Sequence, residues 1–599
     1  MSKKRSKIKK EKIRISTFFR LLKYVLKSWP LFIIAIIMTF VSNQLALMGP
    51  KYSGEAIDAI SSVNGVNFKV VYDNIIKMLL CYVLSAVLSF VLTVLMINIS
   101  QRVVYSMRKQ LFEKLTTLPI GYFDTTATGD IISRISYDID TVNSSLSHDL
   151  VQIMTSIYTV IGSLIFMWNI SKPMIIIFVI TVPVSVFFTK YRSKKVRPLF
   201  RERSKKLGEL NGYAEEMLSG CRTIQAYNRQ EEINRRFNER NKDAMDAYYN
   251  AEYYASAMGP SVNFINNLSI SLVMILGGIL YMYSANGVIK NGSLFFISLG
   301  GVAQFVQYSR KFAGPINEFA NILHEFQSAF SAAERVFKII DEEPEKSDSI
   351  DAKSIVKVYG KVNFDNVQFG YVKDKNILKG ISFDADIGRT IAIVGPTGAG
   401  KTTIINLLMR FYDVNSGNIT LDSEPITELK RAELRNAYTM VLQDIWLFHG
   451  SVAENIAYGK EGATLEEVKT AATAANIHSF IEHLPNGYDT ILSDDGVNIS
   501  KGQKQLITIA RAMLSPAPML ILDEATSNVD SRTEIKIQRA LSKLMQNRTC
   551  FIIAHRLSTI KNADLIIVLQ NGKITEQGNH NQLMAMEGFY SKLYNSQFY

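Results

Sequence analysis

Six long apolar stretches within the first 306 residues constrain the fold more than any other feature of the sequence. They cover about Leu31–Met48, Ile75–Ile97, Leu150–Trp168, Pro173–Phe188, Val262–Tyr283 and Leu294–Val306. Most of them approach the roughly 20 residues that an α-helix needs to cross the hydrocarbon core of a bilayer. The first half of the chain is therefore predicted to be an α-helical membrane domain with six spans.

Several side-chain amides interrupt this apolar pattern. They are Asn43, Gln44, Asn266, Asn267, Gln304 and Gln307. Polar groups inside a membrane segment are expected to face the interior of the helix bundle or a polar cavity. Asn267, Gln304 and Gln307 are therefore candidates for the lining of a substrate cavity.

Basic residues are unevenly distributed around the apolar stretches, in a chain with a net charge of +13. They concentrate between the second and third stretches and between the fourth and fifth, whereas the loops after the third and fifth offer only Lys172 and Lys290. Because cytosolic loops carry an excess of Lys and Arg, both termini are predicted to be cytosolic, in a multi-pass protein of the cell membrane. The charge flanks the membrane and forms no separate basic patch, so nucleic acid is not an expected partner.

The two basic segments carry helical apolar spacing and few breakers, and we expect them to continue the membrane helices into the cytosol. Thirty additional helical residues extend about 45 Å at 1.5 Å per residue. The turns at their tips are predicted near Tyr122–Ile131 and Leu210–Ser219, with Gly129 and Gly212 as the breaks.

Composition divides the chain into four parts. Residues 1–24 are interpreted as a basic cytosolic tail, because the apolar run that follows is too long for a signal peptide. Residues 25–335 form the predicted six-helix domain with its cytosolic extensions, and residues 341–354 form a charged, proline-containing linker. Residues 355–599 alternate short β-branched runs with helical patterns, which indicates an α/β domain.

A phosphate-binding loop follows the predicted strand Ile391–Val394. Its residues are Gly395, Pro396, Thr397, Gly398, Ala399, Gly400, Lys401, Thr402 and Thr403. The pattern GxxxxGK[ST] between a strand and a helix lets backbone N–H groups surround nucleotide phosphates. Lys401 is expected to reach the outer phosphates, and the Thr402 hydroxyl to ligate Mg²⁺.

A second apolar run, Met519–Leu522, ends in two adjacent carboxylates, Asp523 and Glu524. Successive strand residues point to opposite faces, so the two side chains are suited to different roles. Asp523 suits the Mg²⁺ shell, and Glu524 suits a general base for the attacking water.

The segment that precedes this strand makes the comparison with a known family specific. Ile499-Ser500-Lys501-Gly502-Gln503-Lys504-Gln505-Leu506 resembles the signature motif of ABC transporters. Around it stand the other ordered motifs of that family: Tyr371 resembles the aromatic residue that stacks on adenine, Gln443 the Q-loop glutamine, Ser527–Asp530 the D-loop and His555 the switch histidine. The chain is similar over nearly its full length to an exporter half-transporter of this family.

The resemblance implies a set of site residues for ATP and Mg²⁺. The nucleotide ligands would be Tyr371, residues 395–403, Ser500, Gly502 and Gln503; the Mg²⁺ ligands would be Thr402, Gln443 and Asp523; the catalytic residues would be Glu524, His555 and Gln443. Ser500 and Gly502 would open a helix at Gln503 whose positive end faces the γ-phosphate bound to an opposite subunit.

Two departures from the family pattern bear on the partner. Lys501 replaces the first glycine of the signature, and Asp494-Asp495-Gly496 stands where many homodimeric exporters carry Glu-x-Gly-Glu. The run from Ser527 to Glu534 resembles the catalytic half of bacterial heterodimeric exporters. A second half-transporter is therefore the expected partner, with a heterodimer favoured over a homodimer.

The resemblance implies ATP-driven export of a small amphipathic or drug-like molecule by alternating access. A lipid flippase is the near alternative, and a membrane-tethered regulator or channel with an ABC domain is a further one. A soluble ABC ATPase of DNA repair or ribosome function would not need the six apolar stretches. Nothing in the sequence names the transported substrate.

Overall fold

The computed structural model describes residues 16–61, 65–290, 292–372, 375–443, 445–492, 499–523, 530–553 and 560–596. The chain divides into two compact units. The first comprises Met1–Thr117 and Ala127–Glu342, and the second comprises Leu118–Thr126 and Glu343–Tyr599.

The first unit is helical. Its α-helices are α1 (16–26), α2 (Trp29–Ile60), α3 (Phe68–Leu115), α5 (Thr128–Ser133), α6 (Ile139–Ser144), α7 (Leu150–Ile170), α8 (Ile176–Ser219), α9 (Cys221–Ala226), α10 (Gln230–Ser256), α11 (Met258–Ala285) and α12 (Leu299–Ile340), while α4 (Ile120–Thr125) belongs to the second unit. Short π-helical segments, Arg134–Asp138 and Ser145–Asp149, join α5 to α6 and α6 to α7, and a 3₁₀ turn, Pro173–Ile175, precedes α8.

Five helical segments among the described residues are long and apolar enough to cross a membrane. They are Trp29–Ile60, Phe68–Leu115, Thr128–Ile170, Pro173–Ser219 and Gln230–Ala285. The sixth predicted stretch, Leu294–Val306, overlaps the start of α12, which carries two glutamines and then Arg310 and Lys311 and is correspondingly less apolar. The structure thus has the predicted helical membrane domain ahead of an α/β domain.

The second predicted cytosolic tip was placed wrongly. The helix α8 runs through Gly212 without a break and ends at Ser219, and the turn follows at Gly220, α9 and residues 227–229. Gly212 is tolerated because one helical glycine costs only about 1 kcal/mol relative to alanine, and the residues from Ala214 to Leu218 are strong helix formers. Gly129 likewise lies inside α5.

The second unit contains two main sheets. Its strands are β1 (Val362–Phe369), β2 (Leu378–Ala385), β3 (Thr390–Val394), β4 (Ser416–Leu421), β5 (Glu424–Pro425), β6 (Tyr438–Val441), β7 (Gly450–Ser451), β8 (Ile491–Leu492), β9 (Met519–Asp523), β10 (Thr549–Ile553), β11 (Leu565–Gln570) and β12 (Lys573–Gly578). One sheet has the order β2-β1-β4-β5 and the other the order β12-β11-β3-β10-β9-β6, while β7 and β8 pair separately.

Helices cover the six-stranded sheet. Beside α4, the helices of this unit are α13 (Lys401–Leu408), α14 (Arg431–Asn436), α15 (Val452–Ala457), α16 (Leu465–Ala474), α17 (His478–Glu482), α18 (Lys501–Leu514), α19 (Ser531–Leu544), α20 (His580–Ala585) and α21 (Phe589–Ser596), with a 3₁₀ turn at Gly487–Asp489. From β11 to β6 the strands are parallel, and in β3 the run Ile391–Val394 is fully buried. Continuous apolar runs are typical of parallel strands that are covered on both faces.

The linker is attached to the second unit by ion pairs. Arg431 donates to Asp348 at 2.9 Å, and Arg435 donates through both terminal nitrogens to Glu345, at 3.0 and 2.5 Å. Arg431 is buried, so its guanidinium depends on these carboxylates for compensation. The chain from residue 345 onward is therefore held against the α/β domain.

Candidate nucleotide-binding site

The carboxyl ends of four parallel strands place the predicted motifs at one edge of the sheet. Ile393 of β3 pairs with Ile553 of β10, and Ile553 pairs with Asp523 of β9. Val441 of β6 is level with Leu522, one position before Asp523. The phosphate loop, Asp523 and Gln443 therefore follow their strands at the same edge, where open α/β sheets bind ligands.

Glycine is required within the phosphate loop for two different reasons. A Cβ at Gly395 would lie 2.2 Å from the carbonyl oxygen of Leu569, so the close approach of two backbones excludes any side chain there. Gly398 and Gly400 have φ of 81° and 106°, in the left-handed region that glycine adopts without steric cost. The loop therefore has the backbone shape that a cradle of N–H groups requires.

Lys401 is the first residue of α13, and its side chain folds back over the loop. The side chain is 8% exposed, and Nζ donates to the carbonyl oxygens of Gly395 and Pro396 at 2.8 and 3.1 Å. Thr402 is exposed in the first turn of α13, and Thr403 is buried behind it. The ammonium group is thus held at the phosphate loop by these two carbonyl oxygens, where the family pattern places it beside the nucleotide phosphates.

The predicted signature segment forms the start of α18. Ser500 is its N-cap: the Ser500 hydroxyl accepts from the Gln503 N–H at 3.2 Å, and the Ser500 N–H donates to Gln503 Oε1 at 2.8 Å. The helix begins at Lys501 and not at Gln503 as predicted. The reciprocal hydrogen bonds between Ser500 and Gln503 form a capping box, which makes Ser500 the residue that caps the helix. The 14-residue helix presents its positive end there, and Lys501 adds a cation to its first turn.

Tyr371 lies next to the first turns of α13. Its hydroxyl contacts Thr403 Oγ1 at 3.4 Å and accepts from Asn406 Nδ2 at 2.9 Å. Its ring is 42% exposed and packs edge-to-face against Phe369 and Tyr412, with ring centroids 5.0 and 4.9 Å away. Contacts on its edge and its hydroxyl fix the ring while part of its surface stays open for a planar base.

We expect Tyr371→Ala to weaken ATP binding and to change the hydrolysis rate at saturating ATP much less. Base–aromatic stacking is worth about 1–3 kcal/mol, which corresponds to a rise in the KM for ATP of roughly 5- to 150-fold. Tyr371→Phe is the matched control, because it keeps the ring and loses only the contacts of the hydroxyl. An unchanged KM in the alanine variant would remove Tyr371 from the site.

Sequence reasoning missed Tyr412 and its partner Asp124. The Tyr412 hydroxyl donates to the Asp124 carboxylate, which belongs to α4 and thus to the same unit. Burial, and then this hydrogen bond, raise the pKa of the Tyr412 phenol well above its usual value, so the phenol remains a donor. Because Tyr412 also packs against Tyr371, a chain of contacts joins the predicted adenine-stacking ring to α4.

We expect Tyr412→Phe to lower the amount of substrate transported per ATP hydrolysed while leaving the KM for ATP nearly unchanged. The phenylalanine ring keeps the packing against Tyr371 but cannot form a hydrogen bond with Asp124. Asp124 lies in α4, the short helix that follows α3 in the sequence. Asp124→Asn, which keeps an acceptor oxygen, is the control. Equal transport per ATP in the wild type and in Tyr412→Phe would show that this hydrogen bond has no role in coupling.

Several predicted residues lie outside the described part of the chain. They are Glu524, His555, the D-loop positions 527–529 and the segment 494–496. Asp530, which follows the D-loop positions, caps α19 by accepting from the Thr533 N–H at 2.9 Å. Gln443 is described and exposed. The roles of all these residues remain predictions.

The oxygen donors at this edge of the sheet fit Mg²⁺. No cluster of three or more His, Cys, Asp or Glu side chains suited to a metal is found among the described residues. Thr402 and Asp523 instead bring one hydroxyl and one carboxylate to the sheet edge where the phosphate loop begins. Mg²⁺ is typically held by one or two protein oxygens together with substrate phosphates.

Two protein-family models match the chain. Residues 32–302 match the ABC transporter transmembrane region, and residues 378–527 match the ABC transporter family. The two matches fall in the helical and the α/β halves, respectively.

Curated relatives are similar along most of the chain. The ABC transporter ATP-binding protein YfiC of Bacillus subtilis is 41% identical over 100% of this chain and 96% of its own length. The fatty acid ABC transporter ATP-binding/permease protein of Mycobacterium tuberculosis is 40% identical, covering 90% of this chain and 84% of that protein. The ATP-dependent lipid A-core flippase of Syntrophus aciditrophicus is 33% identical, covering 98% and 95%.

A solved structure shares the whole architecture. A bacterial Atm1-family ABC exporter with ATP bound superposes with a TM-score of 0.75 and 28% sequence identity, covering 96% of this chain and 98% of that one. The likeness extends over both halves.

Proposed function

Because the chain belongs to the ABC transporter family, as an exporter half-transporter with an ATPase domain, we propose that it exports a small amphipathic or drug-like molecule. The observation that supports this most is the presence, in one chain, of membrane-spanning helices and a phosphate loop with Lys401 and Asp523 at one sheet edge. ATP binding and hydrolysis follow from the family, and the identity of the exported molecule is the proposal.

The residues of this chain have distinct roles in the proposed reaction. Tyr371 stacks on the adenine, the N–H groups of residues 395–403 surround the phosphates, and Lys401 neutralises the outer ones. Thr402, Gln443 and Asp523 would hold Mg²⁺, which would supply positive charge against the charge that develops on the phosphates. Glu524 accepts a proton from the attacking water, and His555 donates to the γ-phosphate.

Export follows from closure of two such domains on ATP. The start of α18, from Ser500 to Gln503, would contact a phosphate held by a second half-transporter, and that closure would open the membrane cavity outward. The basic segments around α3 and α8–α10 favour an orientation with both termini in the cytosol and the helices in the cytoplasmic membrane. A cysteine at Ser204 should then resist an impermeant thiol reagent in intact cells; labelling from outside would contradict this orientation.

The direct test of function uses the purified transporter in proteoliposomes with the α/β domains facing outward. We expect ATP, but not a non-hydrolysable analogue, to drive accumulation of an amphipathic dye inside the vesicles. ATPase activity should rise when members of a panel of drugs and lipids are added. Absence of both uptake and stimulation across the panel would contradict the proposed function.

A lipid flippase is a second candidate, supported by the full-length similarity to a lipid A-core flippase. Its activity would move a labelled lipid between leaflets instead of releasing a solute into the vesicle. Dithionite quenching of a head-group-labelled lipid distinguishes the two outcomes in the same proteoliposomes.

We also propose that the second half-transporter is a different, homologous chain. Half-transporters of this family act as dimers. The lysine at position 501, the Asp494–Gly496 segment and the sequence from Ser527 to Glu534 favour a heterodimer in which this chain provides the catalytic Walker residues. The Walker residues of this chain and the signature of the partner would form the active site.

A further inference from the structure

Two adjacent cations lie deep within α12. The start of this helix is held at the end of α2, because Ser298 Oγ and the Gly300 N–H both donate to the Asp58 carboxylate at 2.7 Å. Arg310 and Lys311 follow Leu299 by eleven and twelve residues, or about 17–18 Å along the helix axis. If the sixth predicted span enters a hydrocarbon core about 30 Å thick at Leu299, this distance places the two cations near the midplane.

Lys51 of α2 and Lys77 of α3 differ from this pair in their partners. Each of them has a carboxylate neighbour: Glu55 at 3.9 Å and Asp73 at 2.5 Å. Neither a hydrogen bond nor an ion pair joins Arg310 or Lys311 to any side chain that the structure describes. Ionised side chains at this depth are costly, and where they occur they mark substrate or ion pathways.

The core-facing side of α12 is apolar and closely packed. Phe305, Tyr308 and Phe312 are buried; the Tyr308 ring stacks on Phe166 with centroids 5.0 Å apart, and its hydroxyl donates to the Leu47 carbonyl at 2.6 Å. Arg310 lies on the opposite side of the helix and is exposed. Because an arginine that faces lipid at this depth would be strongly unfavourable, the exposed side of α12 is expected to face a polar cavity.

A stripe of amides leads along α12 to Lys311. Gln304, Gln307 and Lys311 have the spacing i, i+3, i+7, which places them on one face. The two amides are already bonded: Gln304 donates to the Lys51 carbonyl at 3.1 Å, and Gln307 donates to Ser53 Oγ at 3.0 Å. Gln304 and Gln307 are therefore polar but uncharged. Lys311, at the inner end of this stripe, and the adjacent Arg310 are charged and have no hydrogen bond or ion pair with a described side chain.

We propose that Arg310 and Lys311 bind the negatively charged head group of an amphipathic substrate, a carboxylate or a phosphate attached to an apolar tail. An anionic head group would neutralise the positive charges of these two adjacent side chains. A neutral ligand would leave both charges without a counter-ion inside the membrane. The apolar membrane helices around them suit the tail. This inference rests on the proposed function and specifies the class of molecule exported.

The test compares amphiphiles that differ in charge and share a tail. ATPase activity of the assembled transporter in nanodiscs is measured against oleate, an oleoyl lysophosphatidate and the neutral oleyl alcohol. We expect Arg310→Gln and Lys311→Gln each to raise the half-stimulating concentration of the anions about tenfold, equivalent to about 1.4 kcal/mol. The response to oleyl alcohol should remain within about twofold.

Charge-conserving and distant variants serve as controls. Arg310→Lys and Lys311→Arg should retain the anion response, and Lys77→Gln, at a site that is ion-paired with Asp73, should not affect it. A preference of the wild type for oleate over the lysophosphatidate, or the reverse, identifies the head group. Basal ATPase activity and the elution profile in gel filtration show that each variant is folded.

The possible failures are distinguishable. If the glutamine variants respond to anions like the wild type, or lose the responses to anions and to oleyl alcohol equally, the head-group site is wrong and the proposed export function stands. If the wild type responds to none of the amphiphiles or drugs, the proposed function itself is contradicted.

Discussion

Glu524→Gln should nearly abolish ATP turnover while leaving ATP binding intact. The amide keeps the size and most hydrogen bonds of the carboxylate but cannot accept a proton from the attacking water. General-base catalysis contributes about 10²–10⁴-fold, so kcat should fall by a factor in that range. With turnover blocked, ATP should accumulate on the protein and hold the two α/β domains together, which can be measured as retained radiolabelled ATP after gel filtration.

Glu461→Gln is the matched control for this experiment. Glu461 is an exposed carboxylate of the same domain, in the loop between α15 and α16, and its replacement should not alter kcat. Rapid hydrolysis retained by Glu524→Gln would show that another group activates the water. Loss of ATP binding together with turnover would indicate a structural role for Glu524 instead.

The phosphate-loop region could be predicted because its constraints are local. Val394 ends a strand of continuous apolar residues, and Gly395 must lack a side chain because the backbone of β11 passes 2.2 Å from its Cβ position. Left-handed φ values at Gly398 and Gly400 similarly require glycine. Because each of these glycines is required by the local backbone, the motif can be recognised from a single sequence without an alignment.

Features that depend on distant contacts were predicted less well. The tip of the α8–α10 arm was assigned to Gly212 from composition alone, yet strong helix formers on both sides carry the helix to Ser219. Tyr412 was missed because its partner, Asp124, is 288 residues away in the sequence. Nothing in the sequence near Tyr412 indicates that its hydroxyl bonds to α4 or that its ring supports Tyr371.

The linker shows an intermediate case. Its charged composition predicts a boundary between two domains. The pairing of Glu345 and Asp348 with Arg435 and Arg431 could not be deduced, because α14 lies more than 80 residues further along. Those ion pairs mean that the linker residues from 345 onward move with the α/β domain.

This chain, purified alone, should show little substrate-stimulated ATPase activity, and a co-expressed homologous half-transporter should restore it. In the proposed dimer, each ATP site is completed by the start of α18 from the other subunit, and here that helix begins with Lys501 where the family pattern has glycine. A lysine at the first helical position puts a long side chain where the family pattern has none, which is expected to keep the helix start from approaching the phosphate closely. We therefore expect the site completed by Ser500–Gln503 to turn over slowly and the other site to carry the activity.

The assembled heterodimer makes the asymmetry measurable. Glu524→Gln in this chain alone should remove nearly all turnover, because the partner's Walker residues face the weak signature at Lys501. Lys501→Gly should leave the turnover of the active site nearly unchanged, since this residue belongs to the other site. A stable homodimer of this chain with brisk, substrate-stimulated hydrolysis would contradict the heterodimer, and half-maximal turnover in the mixed Glu524→Gln complex would show two equivalent sites.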